Sequence, residues 1–351
     1  MITIKLIIIA DKTIGPEQPC FIIAEAGVNH NGDVNLAKQL IDVAAEAGAD
    51  AVKFQTFNAD SLVTKDANKA EYQQRCTGSK TQYEMLKKLE LPEKVFFILA
   101  KYAEKKGIIF LSTPFDCESV DLLEKINVVA YKISSGDLTN HPLLKHVAIK
   151  KKPIILSTGM GTLSEISDSL SVLKNAGAND IILLHCTTDY PALFDEVNLR
   201  AIKTLECAFK LPTGFSDHTT GIIASVAAVA MGARVIEKHF TLDKESDGPD
   251  HKASLNPNEL RELVSAIRNI EKARGNGIKE PSENEEKIKI VARKSIVAKK
   301  NIRLGTIIDE SMLDFKRPGT GLEPKCLHLL IGKKIKKDVM KDERISWEHV
   351  G

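Results

Sequence analysis

Eight short runs of apolar and β-branched residues recur along the first 241 positions of the chain, separated by longer stretches with helical spacing. The runs cover 21–28, 51–57, 108–115, 128–135, 153–159, 181–187, 214–218 and 235–241. Between them, apolar residues at three- and four-residue intervals predict helices, for example over 35–47, 93–106, 163–175, 221–231 and 257–274. Several of these helices run into a glycine stop, at Gly48, Gly107, Gly177, Gly232 and Gly275. A helix between two strands returns the chain parallel to where it started, so the strands form one parallel sheet with helices outside it. Eight such units in about 250 residues predict an α/β fold of the (β/α)8 TIM-barrel type. A doubly wound open sheet is the alternative, weakened because no glycine-rich fingerprint follows the first strand.

Residues 58–92 exceed a normal βα loop and predict an excursion at the active-site end, including Glu71-Tyr72-Gln73-Gln74. The stretch 276–288 is rich in Asn, Gly, Lys and Glu, contains Pro281, and reads as a linker. It separates a barrel over 1–275 from a module over 289–351 with short strand-like pieces and turn signals. A core so small is marginal alone, so packing on a partner is expected.

The net charge of +2, from 49 basic and 47 acidic residues, excludes a whole-chain case for nucleic-acid or membrane-surface binding. The basic residues gather at the end: 285–351 carry 16 Lys/Arg against 10 Asp/Glu, leaving 33 against 37 before them. The run 333–337 reads as a solvated face, since no aromatic residues interleave it. Six cysteines without CxxC spacing point to reduced thiols in the cytoplasm. No apolar run approaches the ~20 residues of a membrane span, and the apolar start over 6–10 reads as a short strand, not a signal peptide.

In a barrel of this kind the C-terminal strand ends form the active-site rim. Polar residues collect at those ends: Glu25, Lys53 with Gln55, Ser112-Thr113, Lys132 with Ser134-Ser135, Ser157-Thr158, His185 to Tyr190, Ser216-Asp217-His218 and Glu237-Lys238-His239. One polar residue on a strand is usually a core hydrogen bond or a solvated position; the same bias in eight strands is harder to set aside. Lys53 and Lys132 lie in apolar strands, where an unpaired charge is expensive. With the hydroxyls of Ser135, Ser157 and Ser216 they suit a phosphate or carboxylate. Internal ion pairs with Glu25 or Glu237 are the plain alternative, and a Schiff-base lysine a further one. His218 and His239 end consecutive strands and suit a divalent metal, manganese or magnesium, with water, substrate or a carboxylate such as Asp217 completing the sphere. Structural histidines are the competing reading. Cys186 reads as a small buried residue.

Taken together, Glu25-Ala26-Gly27-Val28-Asn29-His30-Asn31-Gly32, Lys53-Phe54-Gln55-Thr56-Phe57, Ser112-Thr113-Pro114-Phe115, Lys132-Ile133-Ser134-Ser135-Gly136, Ser157-Thr158-Gly159-Met160, Phe215-Ser216-Asp217-His218-Thr219 and Glu237-Lys238-His239-Phe240-Thr241 resemble the sialic acid synthase family. Gly248-Pro249-Asp250-His251-Lys252-Ala253-Ser254 and Arg317-Pro318-Gly319-Thr320-Gly321 extend the match, and the tail resembles the small β-rich antifreeze-like (SAF) domain of that family. The resemblance implies an N-acetylneuraminate synthase, a transferase condensing phosphoenolpyruvate with N-acetylmannosamine to a nine-carbon 2-keto sugar acid and phosphate. It implies cell-surface polysaccharide biosynthesis as the setting. It also implies a domain-swapped homodimer and a divalent metal, manganese first, with magnesium or cobalt as alternatives. By the same resemblance, His218 and His239 hold the metal and Glu25 is the catalytic carboxylate. Lys53, Lys132, Ser135, Ser157 and Ser216 contact phosphoenolpyruvate. Gln55, Tyr190, Glu237 and Asp250 face the sugar, and Arg317 reaches the acetamido group from the second copy. Thr188 stands where some members carry Asn. The 250–254 stretch is shared with legionaminate-type members, so a 2,4-diacetamido-2,4,6-trideoxymannose is the alternative acceptor.

Overall fold

The structure, a computed structural model, describes residues 4–78 and 81–351, and the chain divides into two compact units, Met1–Gly275 and Asn276–Gly351. The strands are β1 (Ile7–Ile9), β2 (Lys12–Ile14), β3 (Phe21–Gly27), β4 (Ala51–Thr56), β5 (Ile109–Pro114), β6 (Tyr131–Ile133), β7 (Ile154–Ser157), β8 (Ile181–Cys186), β9 (Thr213–Asp217), β10 (Val235–His239), β11 (Ser295–Ala298) and β12 (Leu313–Lys316). The helices are α1 (Val34–Glu46), α2 (Ala59–Leu62), α3 (Glu71–Thr77), α4 (Gln82–Leu89), α5 (Glu93–Lys106), α6 (Cys117–Ile126), α7 (His141–Ala148), α8 (Leu163–Asn175), α9 (Arg200–Phe209), α10 (Ile223–Ala230), α11 (Pro257–Arg274), α12 (Glu283–Ala292) and α13 (Leu327–Leu330).

Strands β3 to β10 form one parallel sheet in the order β5-β4-β3-β10-β9-β8-β7-β6. β5 packs beside β6, which closes the ring as a TIM barrel. Each of the eight apolar runs coincides with one strand, seven with their ends trimmed and the run at 214–218 shifted by one residue, since β9 begins at Thr213. The helices start and stop where local chemistry dictates. Asp33 opens α1 by accepting from the amides of Asn35 and Leu36, and α5 stops at Gly107, whose left-handed φ of 71° only glycine adopts freely.

The short strand expected over 6–10 is β1, one arm of the β1–β2 hairpin. Ile7, Ile9 and Ile14 are buried with Phe21, Ile23, Leu111, Ile155, Ile182, Leu184 and Val235. The hairpin therefore plugs the N-terminal end of the barrel, each isoleucine contributing roughly 1.5–3 kcal/mol. Side chains on a strand alternate faces, so the inward row can be followed upward from this plug. It reads Phe21, Ile23, Glu25 on β3; Ile155, Ser157 on β7; and Val235, Glu237, His239 on β10. The interior changes from apolar to polar along each row, and that change positions the site.

The 58–92 excursion is built of α2, α3 and α4. In the second unit, β11 and β12 pair antiparallel over a core that includes Ile296, Ile302, Ile308, Leu330, Ile335 and Val350. The segment expected as a linker to 288 turns helical at Glu283. Ser282 and Glu285 form a capping box there, each satisfying the other's amide. Among the described residues no helix is long and apolar enough to cross a membrane.

Candidate active site

At the C-terminal end of the barrel the inward rows surround a cavity of about 330 Å³. Eleven of the residues singled out above line it: Glu25, Lys53, Gln55, Lys132, Ser135, Ser157, Tyr190, Ser216, His218, Glu237 and His239. Asp250 lies in an adjoining recess of about 240 Å³ that shares Gln55, Tyr72, Gln82, Phe115 and Tyr190 with the cavity. Arg317 is in the second unit, exposed, one residue past β12.

Two lysines and two carboxylates form the floor, all nearly inaccessible to solvent. Lys53 Nζ is 2.8 Å from Glu25 Oε2 and 3.6 Å from Glu237 Oε2, and donates to Thr113 Oγ1 at 2.8 Å. Lys132 Nζ is 3.4 Å from Glu237 Oε1, which also accepts from the Ser216 hydroxyl at 2.8 Å. The internal ion pairs weighed from sequence are therefore present. They do not close the site, because both lysines also line the cavity. Burial pushes the Glu25 carboxyl up to about 7, against the opposing pull of Lys53. Burial acts the same way on Glu237, but Lys132 and Lys53 together outweigh it and hold that carboxyl well below its usual range. Burial also lowers Lys132, with Glu237 opposing.

Hydroxyls extend this cage. Ser135 Oγ accepts the Gly159 amide at 3.0 Å. A Cβ on Gly159 would stand 2.8 Å from that oxygen and 2.2 Å from Thr188 Oγ1, so glycine is needed for the approach. Ser157 Oγ is buried without a hydrogen-bond partner.

The imidazoles of His218 and His239 are 5.5 Å apart by ring centroids. His218 Nδ1 is 2.7 Å from the Thr187 carbonyl; as donor in that bond it leaves Nε2 with a bare lone pair. Burial, reinforced by His218 and Lys53, holds His239 neutral, and its Nδ1 has no hydrogen-bond partner. Burial works against a charge on His218, but Cys186 and the Thr187 carbonyl outweigh it and raise that imidazole. With its proton displaced, the two rings are a donor set that fits a divalent cation. Among the described residues no group of three or more His, Cys, Asp or Glu is arranged to hold one. Asp217 is not available to complete the sphere. Ser216 and His218 point inward, so Asp217 between them points out of the barrel and pairs with Lys238.

Sequence reading gave no role to Thr113, Tyr72 or Gln82, all of which line the cavity. Thr113 was named at the rim without a task of its own; it follows the buried Leu111 at inward spacing. Tyr72 stacks on Tyr190 at 5.0 Å, and Tyr190 stacks on His218 at 4.0 Å. That contact joins residues 118 positions apart, and no local pattern announces it.

The NeuB family pattern matches residues 40–279, and the SAF domain pattern matches 293–351. The chain is 54% identical over 327 residues to the N,N'-diacetyllegionaminic acid synthase of Campylobacter jejuni, covering 92% of this chain and 98% of that one. It is 39% identical over 341 residues to the human N-acetylneuraminate-9-phosphate synthase, covering 97% and 95%. The crystal structure of the N-acetylneuraminic acid synthetase of Leptospira borgpetersenii superposes with a TM-score of 0.73 at 38% identity, over 81% of this chain and 95% of that one.

Proposed function

We propose, since the chain belongs to the NeuB family and carries an SAF domain, that it condenses phosphoenolpyruvate with an N-acetylated amino sugar of the mannose type. One observation carries this reading: two buried lysines and three serine hydroxyls converge on a cavity whose other wall holds the two imidazoles of His218 and His239. The first group suits an anion bearing both phosphate and carboxylate, the second a carbonyl awaiting polarisation.

In the reaction, carbon 3 of phosphoenolpyruvate forms a bond to the sugar aldehyde carbon. Water adds to carbon 2, and phosphate leaves with cleavage of the carbon–oxygen bond. The products are a 2-keto sugar acid and inorganic phosphate. Lys53, Lys132, Ser135, Ser157 and Ser216 hold the anion and stabilise charge as it develops. Glu25, with its carboxyl raised to about 7, is matched to moving a proton at neutral pH, at the incoming water or the aldehyde oxygen. His218 and His239 would hold a divalent cation, manganese by preference, which when bound supplies Lewis acidity toward the sugar carbonyl. Gln55, Tyr190, Glu237 and Asp250 take the sugar side, and Arg317 of the partner subunit the acetamido group, in a domain-swapped homodimer.

The recess favours one acceptor. Beside Asp250 and its glutamines it is lined by Val28, Leu62, Val63, Met85, Leu86, Leu89, Phe115 and Pro249. These apolar walls gain from a deoxy methyl or an extra acetamido methyl. This favours 2,4-diacetamido-2,4,6-trideoxymannose over N-acetylmannosamine, by about 10–200-fold in kcat/KM. The test is phosphate and keto-acid formation from phosphoenolpyruvate with each sugar in parallel, manganese present. Faster turnover of N-acetylmannosamine sinks the acceptor preference, and phosphate from neither sugar sinks the reaction.

A further inference from the structure

Behind the two histidines, on the side of the sheet away from the cavity, lies a buried ion pair that the chemistry above does not use. Asp217 and Lys238 are 0% and 1% exposed and stand directly opposite each other in the β9–β10 register. Lys238 Nζ is 3.0 Å from Asp217 Oδ2. Asp217 Oδ1 accepts from the amide and the hydroxyl of Thr219, each at 2.8 Å, and Oδ2 accepts from the Ser225 hydroxyl on α10 at 2.6 Å. Lys238 also donates to the Thr219 carbonyl.

Asp217 precedes His218 and Lys238 precedes His239. His218 is thus held between two anchored residues: Asp217, tied to the neighbouring strand and to α10, and Thr219, whose amide, hydroxyl and carbonyl all return to the pair. β9 ends at Asp217; past it the His218 carbonyl accepts from the Ala192 amide at 2.9 Å, and the pair adds the tie to β10 and α10. A buried ion pair is a weak source of net stability, because the cost of desolvating it roughly offsets its attraction. Its directional bonds give something apolar packing does not, a fixed geometry between two strand ends.

We propose that Asp217 and Lys238 are positioning residues that set the spacing and facing of the His218 and His239 imidazoles, so that both donate to one divalent cation. This rests on the metal reading of the two histidines. The pair touches neither substrate nor metal; it acts through the backbone of the residues that do.

The experiment titrates Mn2+ into the full chain and follows free Mn2+ by electron paramagnetic resonance. The wild type is compared with His218→Ala, Ser225→Ala and the double variant Asp217→Asn/Lys238→Met. The double variant removes both charges together, keeps an oxygen for Thr219, and leaves no unpaired buried ion. It is expected to bind Mn2+ about 10–100-fold more weakly than the wild type, the usual cost of losing an outer-shell support. Its affinity for orthophosphate, which reports on the Lys53–Lys132 cage, is expected to be unchanged. A merely structural role would move both affinities or neither. Should the double variant fail to fold, Ser225→Ala serves, since it trims one bond to Asp217 and strands no charge; its Mn2+ affinity should fall by at least about twofold. Wild-type Mn2+ affinity in the folded double variant, or in Ser225→Ala where the double variant does not fold, overturns the proposal while leaving the metal reading intact, provided His218→Ala loses Mn2+. A wild type that binds no Mn2+, or a His218→Ala that binds it normally, overturns the metal reading and this proposal with it.

Discussion

Glu237→Gln isolates what the buried cage costs and what it holds ready. The substitution is nearly isosteric, but it takes one negative charge from a group of four: Glu25 and Glu237 against Lys53 and Lys132. The carboxylate it removes lies 3.4 Å from Lys132 and 3.6 Å from Lys53 and accepts from Ser216 at 2.8 Å. At an effective dielectric constant of about 20, each of those ion contacts amounts to ~5 kcal/mol of gross attraction. Desolvation cancels much of it, and breaking one side of a buried pair costs about 3–5 kcal/mol net. With two lysines left to one carboxylate, the upper half of that range applies. Unfolding should follow at a temperature about 8–20 °C lower, at about 2–4 °C per kcal/mol. Far-UV circular dichroism is the signal to follow, because the single tryptophan, Trp347, sits in the second unit and does not report on the barrel.

The second arm of the same experiment adds orthophosphate. In the wild type the lysines are already engaged by carboxylates. In the variant they carry an uncompensated positive charge that an anion can neutralise. Phosphate at about 100 times its Kd returns about 2.7 kcal/mol. The variant should therefore recover more stability from phosphate than the wild type does. A variant as stable as the wild type, or a wild type protected more by phosphate, refutes the account of the cage as paired lysines waiting for an anion.

Three further outcomes are expected. Burial, then the neighbouring His251, pushes His30 down to about 4, so the folded chain resists protonating it. That stability is present above the ordinary histidine pKa of about 6.5 and is lost as pH falls toward 4, about 2 kcal/mol between pH 7 and pH 5. His30→Asn keeps an acceptor for the Gly32 amide and should flatten that loss in urea midpoints at the two pH values; an unchanged slope counts against it. Arg317→Ala should raise the KM for sugar well above its effect on the KM for phosphoenolpyruvate, and equal shifts would remove Arg317 from the acetamido site. Chelation with EDTA should abolish phosphate release, with manganese restoring it; turnover that survives chelation and is trapped by borohydride would restore the Schiff-base reading of Lys53 or Lys132.

The barrel was legible because eight strands and their helices each carry a local signal, and even the helix bounds at 93–106, 163–175 and 257–274 fell where the structure has them. Most of the cavity was legible too, because polar residues on an inward row of an apolar strand have little else to do. The errors came from two sources. Period two was not applied strictly at β9: Ser216 and His218 facing inward require Asp217 to face outward, away from any metal at the histidines. Capping signals were also passed over. Thr81 with Glu84 opens α4 inside the excursion, and Ser282 with Glu285 opens α12 inside the supposed linker. The contact of Tyr72 with Tyr190 is of another kind. It exists only once α3 folds over the barrel mouth, and no periodicity of either segment encodes it.

The two buried charge clusters carry opposite signs of purpose, and hydrogen-bond satisfaction tells them apart. Behind the strands, both oxygens of Asp217 accept hydrogen bonds and Lys238 donates to a carbonyl; a cluster so completed has nothing left to offer a ligand. In front, Ser157 Oγ and His239 Nδ1 lack any hydrogen-bond partner. Glu25 Oε2 and Glu237 Oε2 have only ionic contact with Lys53. A buried polar atom left without a hydrogen-bond partner costs about 1–3 kcal/mol. Two such atoms, Ser157 Oγ and His239 Nδ1, facing one cavity are a concentrated expense in a fold that satisfies most of its buried polar groups elsewhere. Folding alone would remove that expense by substituting apolar residues, as it does one layer lower with Ile23, Ile155 and Val235. Its retention at the barrel mouth is explained if a ligand supplies the missing partners. The same comparison explains why the outward pair is kept ionic. Complete on its own and adjoining both histidines, it holds the front cluster in place without competing for what binds there.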